Sequence, residues 1–432
     1  MFGKCYYVFM LQEELKKIFK ELFSPKAVFR KVLGRAFDEI SVKLTKEQRN
    51  TIEKHVLECG DGKIFLEFSD DQLRSAGVGS EEELEPLIEK VFSNFGAETQ
   101  KYHDELMTKI PLILEKTSND AVRDILKIIN TTAKKNLIDD RLEFDNYKKK
   151  IESIWGKSID RLEVFIALAF EIGDYVNDTY RPEAALNNDI VFDVLARLHA
   201  RACQISNEIL VLIKNGFADG ASARWRSLHE VNVIANFIKD NGNELAERYW
   251  LHDNIESFNA AKQYREYTDR LQLSVLSDED YENIQERKDE LIARFGQNYK
   301  NSYGWASAVL ANPNPTFADI EKRVNLNHLR PYYRLASHSV HANPKGIFFK
   351  LGLLENSQIL LTGSSHLGLC DPGQLTAISL ANISVALLAH KPTIDTNIFA
   401  RTMLRFSNEV TESFIKAHDR SIIKTESIDE QA

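Results

Sequence analysis

The stretch LEVFIALAFEIGDYV, residues 162–176, decides the fold class, because apolar side chains occupy nearly every face of the helix it would form. A helix of this kind is buried among other helices. The same spacing of three and four residues continues through Leu195, Leu198, Ala202, Ile205, Ile209 and Leu212. Both segments are therefore predicted as core helices of a multi-helix bundle, and the chain as mainly α.

The composition supports this fold class and narrows the range of functions. The chain has 432 residues but only 19 Gly and 10 Pro, which argues against collagen-like, low-complexity and turn-dense all-β folds. Its 55 basic and 64 acidic residues give a net charge of −9, which is unfavourable for a general phosphate-backbone binder. We therefore expect any contact with nucleic acid to be local.

The cysteines and the hydropathy pattern bear on the cellular compartment. Four widely separated cysteines form neither a zinc motif nor a disulfide framework, so a reducing cytoplasm is the expected location. No segment approaches the roughly 20 apolar residues of a membrane span, so we expect no membrane partner. No phosphate loop or dinucleotide-binding motif is present, and no cofactor is expected.

Changes in composition divide the chain into four predicted parts. Residues 1–95 form a small α-rich module, in which capping boxes begin short helices and residues 63–68 alternate like a strand. We expect this module to be able to bind a protein partner. Residues 96–150 form a charged helical connector, residues 151–420 the helical bundle, and residues 421–432 a frayed tail.

Within the bundle, the pattern predicts further helices and one β-hairpin. The helices are expected at about 219–239 and 244–264, from Ser277 onward, from Pro331 to before Pro344, and at about 372–390 and 395–417. The hairpin is expected at 346–363, where two apolar runs flank an Asn-Ser pair.

Two charged residues stand out in an otherwise apolar helix. Arg226 and Glu230 lie four residues apart, on one face of the helix predicted near 219–239. A buried ion pair is costly unless further groups satisfy both charges. The pair is either a structural clamp between helices or part of a functional site, and the sequence leaves both open.

A second predicted helix carries a cation and two imidazoles. Arg334, His338 and His341 have spacings of four and seven, which place them on one face if the helix is continuous. A neutral imidazole beside a guanidinium suits phosphodiester chemistry without a metal. The alternative is that the histidines are core residues bonded to carbonyls.

A metal site is a weaker interpretation. His338 and His341, with Glu230 and Asp253, could supply ligands, but no recognised spacing supports such a site, and none is predicted.

These segments resemble a known family. The motifs RWRSLHE at 224–230 and YYRLASHSVH at 332–341 look like a bacterial helical family called domain of unknown function 5677, over roughly residues 155–390. The family's pattern implies a common site for its motif residues. These are Arg226, Glu230, Tyr333, Ser337 and His341.

The arrangement is also similar to HEPN-type helical domains, whose ribonuclease members carry an Arg followed by four to six residues and a His. Arg334 and His341 fit this spacing, whereas Leu335 replaces the polar residue that commonly follows the Arg. The resemblance implies a toxin or phage-defence system, and commonly a homodimer.

The leading hypothesis is a metal-independent endoribonuclease with five catalytic candidates, namely Arg226, Glu230, Arg334, His338 and His341. In this hypothesis Tyr333, Ser337 and Arg330 contact the RNA. The alternative is a non-catalytic defence or scaffold protein in which the same Arg, Glu and His residues form a structural polar network. The small number of basic residues favours the alternative, and the proximity of Arg and His favours the enzyme.

Overall fold

The structure, a computed structural model, describes residues 15–17, 19–57, 65–354 and 357–429, with side chains described up to residue 421. The chain divides into two compact units, Met1–Leu142 and Glu143–Ala432. Within the described residues, no helix combines the length and the apolar character needed to cross a membrane.

In the described part of the first unit, residues 15–17 and 19–22 are helical, and three short helices then precede a long one. These are α1 (Pro25–Glu39), α2 (Lys46–Leu57) and α3 (Asp70–Ala76), followed by the start of α4 (Glu81–Leu186). The side chain of Ser69 caps α3 in a full capping box with Gln72, as the sequence predicts. The core of the unit includes Phe29, Leu33, Phe37, Ile52 and Leu84.

The strand predicted at 63–68 is not present among its described residues. Residues 65–68 have no regular secondary structure and lead into the cap of α3. Residues 63–64 lie outside the described residues.

Helix α4 contains the predicted connector and also the predicted core segment 162–176. Leu162, Phe165 and Ala169 are fully buried, which explains why this segment anchors the bundle. Val164 and Phe170, however, are 58% and 56% exposed. Only one face of this segment is therefore covered, although its apolar residues occur all round.

The second unit is a helical bundle, and its described residues comprise the end of α4, ten further α-helices and three short 3-10 helices. The ten α-helices are α5 (Ile190–Lys214), α6 (Ala218–Leu251), α7 (Asp253–Leu271), α8 (Asp278–Phe295), α9 (Ser307–Leu310), α10 (Phe317–Arg323), α11 (Arg330–Val340), α12 (Pro344–Phe348), α13 (Cys370–Leu388) and α14 (Ile394–Asp429). The mainly helical fold predicted from the sequence is confirmed.

Buried aromatic residues lock these helices together. The indole of Trp225 on α6 donates to the carbonyl of Leu375 at 3.1 Å and to the hydroxyl of Ser379 at 3.0 Å, both on α13. Trp225 is completely buried, and these bonds satisfy its only polar atom. The face of α6 that carries Arg226 and Glu230 is thereby fixed relative to the core.

The predicted β-hairpin at 346–363 is wrong, since its described residues form no strand. The side chain of Asn343 instead accepts a hydrogen bond from the Gly346 amide at 3.0 Å and begins the short helix α12. The second apolar run is largely in solvent, with Leu360 89% exposed. A two-stranded hairpin needs a covering layer to be stable, and Ile347, Phe348 and Ile359 are exposed as well.

Candidate functional site

The candidate site lies where the middle of α6 meets α11. Arg226 and Glu230 occupy successive turns of α6, and the ring of Tyr333 on α11 packs against them. Pro331 in the first turn of α11 costs no hydrogen bond, so this helix can begin at Arg330 and carry Tyr333 in its first turn.

Arg226 is the centre of the polar contacts. Its Nε donates to Oε1 of Glu230 at 3.3 Å, and its guanidinium lies 4.7 Å from the ring centroid of Tyr333. Its Nη1 lies 3.2 Å from Nε2 of His341. A guanidinium can only donate, so Nε2 of His341 accepts and carries no proton in this arrangement.

Tyr333 connects the two helices through its hydroxyl. This hydroxyl donates to Oε1 of Glu230 at 2.6 Å. Burial and the bond to Glu230 raise the pKa of Tyr333 to about 12, so the phenol stays protonated and remains a donor. The hydroxyl of Ser337 donates to the backbone carbonyl of Tyr333 at 2.7 Å. Ser337 thus stabilises α11 one turn after Tyr333.

His341 does not belong to the regular part of α11. The helix ends at Val340, and His341 is its C-cap, with an extended backbone at φ −103° and ψ 141°. Its amide still donates to the carbonyl of Ser337 at 3.1 Å. This change in backbone direction turns the imidazole towards α6 and Arg226.

Arg334 and His338 remain on the helix, and neither contacts the Arg226 cluster. Arg334 is exposed, and among the described residues it makes no hydrogen bond or ion pair. Nδ1 of His338 lies 3.1 Å from Oδ1 of Asn343. The structure therefore brings His341 to Arg226, and it does not form a continuous stripe of Arg334, His338 and His341.

The comparison with known families covers this site. Residues 192–358 match the family of unknown function DUF5677. The resemblance predicted from the two motifs is thus confirmed, over a shorter range than 155–390. No curated protein and no solved structure matches the chain.

The DUF5677 region contains all five motif residues, and the structure groups them. Glu230 contacts both Arg226 and Tyr333, while His341 contacts Arg226. Ser337 bonds the backbone of Tyr333. Residues more than 100 positions apart in sequence therefore meet in one cluster.

A buried charged network lies behind this cluster, also in the DUF5677 region. Nε2 of His229 lies 2.8 Å from Oε1 of Glu321, and both side chains are 0% exposed. Nε of Arg330 lies 2.6 Å from the other carboxylate oxygen of Glu321. Burial lowers the pKa of His229, and the contact with Glu321 opposes this effect. Arg330, a predicted RNA contact, is thus held by a buried carboxylate.

The sequence patterns do not identify Glu321 as a candidate site residue. It follows Ile320 in α10, and nothing in its spacing distinguishes it from an exposed glutamate. Arg224 and His229 point to different partners, as their spacing of five predicts, since Arg224 pairs with Glu208 and His229 with Glu321.

The described part of the chain contains no group of three or more His, Cys, Asp and Glu side chains arranged to hold a metal ion.

Proposed function

We propose that Arg226 and His341 form the centre of a metal-independent endoribonuclease site. The observation that supports this proposal is the 3.2 Å contact between a guanidinium and an unprotonated imidazole nitrogen, with His341 exposed to solvent. One group can bind a phosphate, and the other can accept a proton, within reach of the same ligand. The resemblance to HEPN-type ribonucleases, which rests on the spacing of Arg334 and His341, leads us to expect the same reaction.

In the proposed reaction, Nε2 of His341 takes the proton of a ribose 2′-hydroxyl. The 2′-oxygen then bonds to the adjacent phosphorus as the bond from phosphorus to the 5′-oxygen breaks. The departing 5′-oxygen takes a proton from water, and the products are a 2′,3′-cyclic phosphate and a 5′-hydroxyl. Arg226 moves from Nε2 to the phosphate, where it balances the negative charge of the transition state.

The other predicted residues support this pair. Glu230 accepts hydrogen bonds from Arg226 and from Tyr333, and the ring of Tyr333 packs against the guanidinium. We therefore assign positioning roles to Glu230 and Tyr333. Arg334 is exposed and unpaired within the described chain, and could contact a neighbouring phosphate. Arg330 and Ser337 bond to protein groups and are assigned to the support of the site.

One observation favours a second function, a non-catalytic binding or scaffold protein. Arg226, Glu230, Tyr333 and His341 make hydrogen bonds to one another. A closed polar network of this kind can be retained for structural specificity alone. A toxin or phage-defence context and a homodimer remain predictions under either function.

Cleavage of a labelled single-stranded RNA by the purified protein in EDTA separates the two functions. We expect products ending in a cyclic phosphate, and a loss of at least 100-fold in rate for His341→Ala, the size of a general base contribution. His338→Ala is the matched control and retains activity.

Circular dichroism and the unfolding midpoint verify that each variant is folded. If folded wild type leaves all RNAs intact, the endoribonuclease proposal is wrong. If His338→Ala rather than His341→Ala abolishes cleavage, the assignment of the base is wrong.

A further inference from the structure

A basic groove lies between α4 and α14, on elements that contribute nothing to the candidate site. Its volume is about 470 Å³. It is lined by Lys157, Arg161, Ser413, Lys416, Asp419 and Arg420. Four of these six side chains are cationic and one is acidic, in a chain whose net charge is −9. The groove is therefore positively charged, whereas the chain as a whole is negatively charged.

The two helices that form this groove are firmly paired. The hydroxyl of Ser158 on α4 donates to the carbonyl of Ser413 on α14 at 2.8 Å, and both side chains are buried. One turn away, the rings of Trp155 and Phe414 pack with centroids 6.0 Å apart. The backbone that carries the cations is therefore fixed before any ligand binds.

The cations are arranged in a way that is unfavourable without a counter-ion. Lys157 and Arg161 are four residues apart on α4, and Lys416 and Arg420 are four apart on α14. Like charges at this spacing repel each other on a helix. Two such pairs facing one groove add further repulsion, so an anion between them would stabilise the bundle.

Internal partners neutralise only part of this charge. Lys416 pairs with Glu412 at 3.2 Å, but both side chains are more than 60% exposed, and such pairs contribute little. Arg161 and Arg420 donate to backbone carbonyls, which carry no net charge. Lys157 has no hydrogen bond or ion pair among the described residues, and Asp419 is the single carboxylate that lines the groove.

We propose that this groove binds the phosphate backbone of single-stranded nucleic acid. Each helix presents two cations separated by one turn, about 6 Å along its axis, so the groove can contact successive phosphates. No aromatic side chain lines it for base stacking, and no amide lines it for base recognition. Binding is therefore electrostatic and independent of sequence.

This inference does not depend on the cleavage proposal. Binding is measured in proteins that carry His341→Ala, so that cleavage cannot consume the probe. If the groove does not bind the probe, the result of the cleavage assay is unaffected. If the protein does not cleave RNA, the binding measurement is unaffected.

The test uses fluorescence anisotropy with a labelled oligouridylate. We expect Lys157→Ala with Lys416→Ala to weaken binding at least tenfold at low salt. We also expect the slope of log affinity against log salt concentration to become shallower by roughly 1.4, which corresponds to two lost phosphate contacts on a single strand. The control, Lys262→Ala with Arg270→Ala, removes the same charge from exposed positions of α7 and changes the affinity less than twofold.

Equal weakening by the groove variant and the α7 control would overturn the proposal, because binding would then reflect overall charge. Two competition experiments test other phosphate sources. Full displacement of the probe by millimolar inorganic phosphate would assign the groove to a small anion. Variant-sensitive binding to phosphatidylserine vesicles without binding of oligouridylate would assign it to a membrane surface, and either result rejects the nucleic-acid proposal.

Discussion

Among single residues, Tyr333 shows how the candidate site is held together. Its hydroxyl bridges two helices, while its ring lies beneath the guanidinium of Arg226. The neighbouring Tyr332 has the same side chain but is exposed and makes no hydrogen bond within the described residues. Two adjacent tyrosines therefore offer a matched comparison of a bonded and an unbonded phenol.

Tyr333→Phe is expected to lower the free energy of unfolding by about 1–2 kcal/mol, since Glu230 loses a donor. Tyr332→Phe should change it by less than about 0.5 kcal/mol. Urea unfolding followed by circular dichroism measures both. Equal effects of the two variants would contradict the assigned role of the Tyr333 hydroxyl.

The carboxylate of Glu321 is expected to matter more for stability than Arg226, Glu230 or His341. Glu321→Ala leaves Arg330 and His229 without their partner in a buried environment, which should cost about 3–5 kcal/mol. Lys322→Ala, exposed on the same helix, is the control and should be nearly neutral. The unfolding midpoints in urea decide, and a Glu321→Ala protein as stable as the control would refute the prediction.

Individual helices were the part of the structure most open to prediction. The cap at Ser277, the apolar spacing and the prolines that flank α11 carry local information, and they correctly indicated α8 at Ser277 and α11 before Pro344. The prediction of a hairpin at 346–363 was wrong, because apolar residues in such a pattern form a stable strand only where another layer of the protein covers them. Ile347, Phe348, Ile359 and Leu360 are exposed instead, and the side chain of Asn343 begins a short helix.

The motif residues could be found by sequence, but not their arrangement. Spacing along α11 predicted a shared face for Arg334, His338 and His341, because it assumed that the helix continues. The helix ends one residue too early, which turns His341 towards Arg226. The partnership of His229 with Glu321 spans 92 residues, and no local pattern encodes such a contact.

The contact between α4 and α5 depends on the absence of one side chain. A Cβ at Gly173 would lie 2.8 Å from Nδ1 of His199. His199 cannot easily move, because it is 2% exposed and its Nε2 is 3.0 Å from the hydroxyl of Ser384. Gly173→Ala should therefore destabilise the bundle by about 1–3 kcal/mol despite its better helix propensity.

Gly220→Ala is the control for this substitution. The nearest atom to its Cβ would be a Leu212 methyl at 3.5 Å, an ordinary contact, so this variant should gain up to about 1 kcal/mol. Opposite shifts of the thermal midpoint are expected for the two alanines. Shifts of the same sign would contradict the packing argument.

For the whole molecule, burial of histidine should make stability depend on pH. Burial lowers the pKa of His199 to about 4 from 6.5, and the thiol of Cys203, its neighbour at 3.8 Å, stays protonated because burial raises its pKa. Between pH 4 and pH 6.5, His199 binds a proton in the unfolded chain but not in the folded chain. Stability therefore falls as the pH decreases from about 6.5 towards 4, by roughly 1.4 kcal/mol per pH unit for this group.

Urea unfolding at a series of pH values measures this dependence. His199→Gln should make the slope shallower by about one proton between pH 6 and 5, whereas His55→Gln, in a partly exposed position on α2, should leave it unchanged. His229 and His252 are also buried with lowered pKa values, so part of the slope should persist. An unchanged slope for His199→Gln would contradict the assignment.

The two halves of the Arg226–His341 pair have unequal anchorage. Arg226 lies on α6, a long helix that the indole of Trp225 fixes to α13. His341 follows the eleven-residue helix α11 and is attached to it by the last backbone hydrogen bond of that helix. Loosening of that final turn costs far less than global unfolding, so the imidazole can detach while the rest of the fold persists. Hydrogen exchange at the His341 amide then measures how often the final turn of α11 opens.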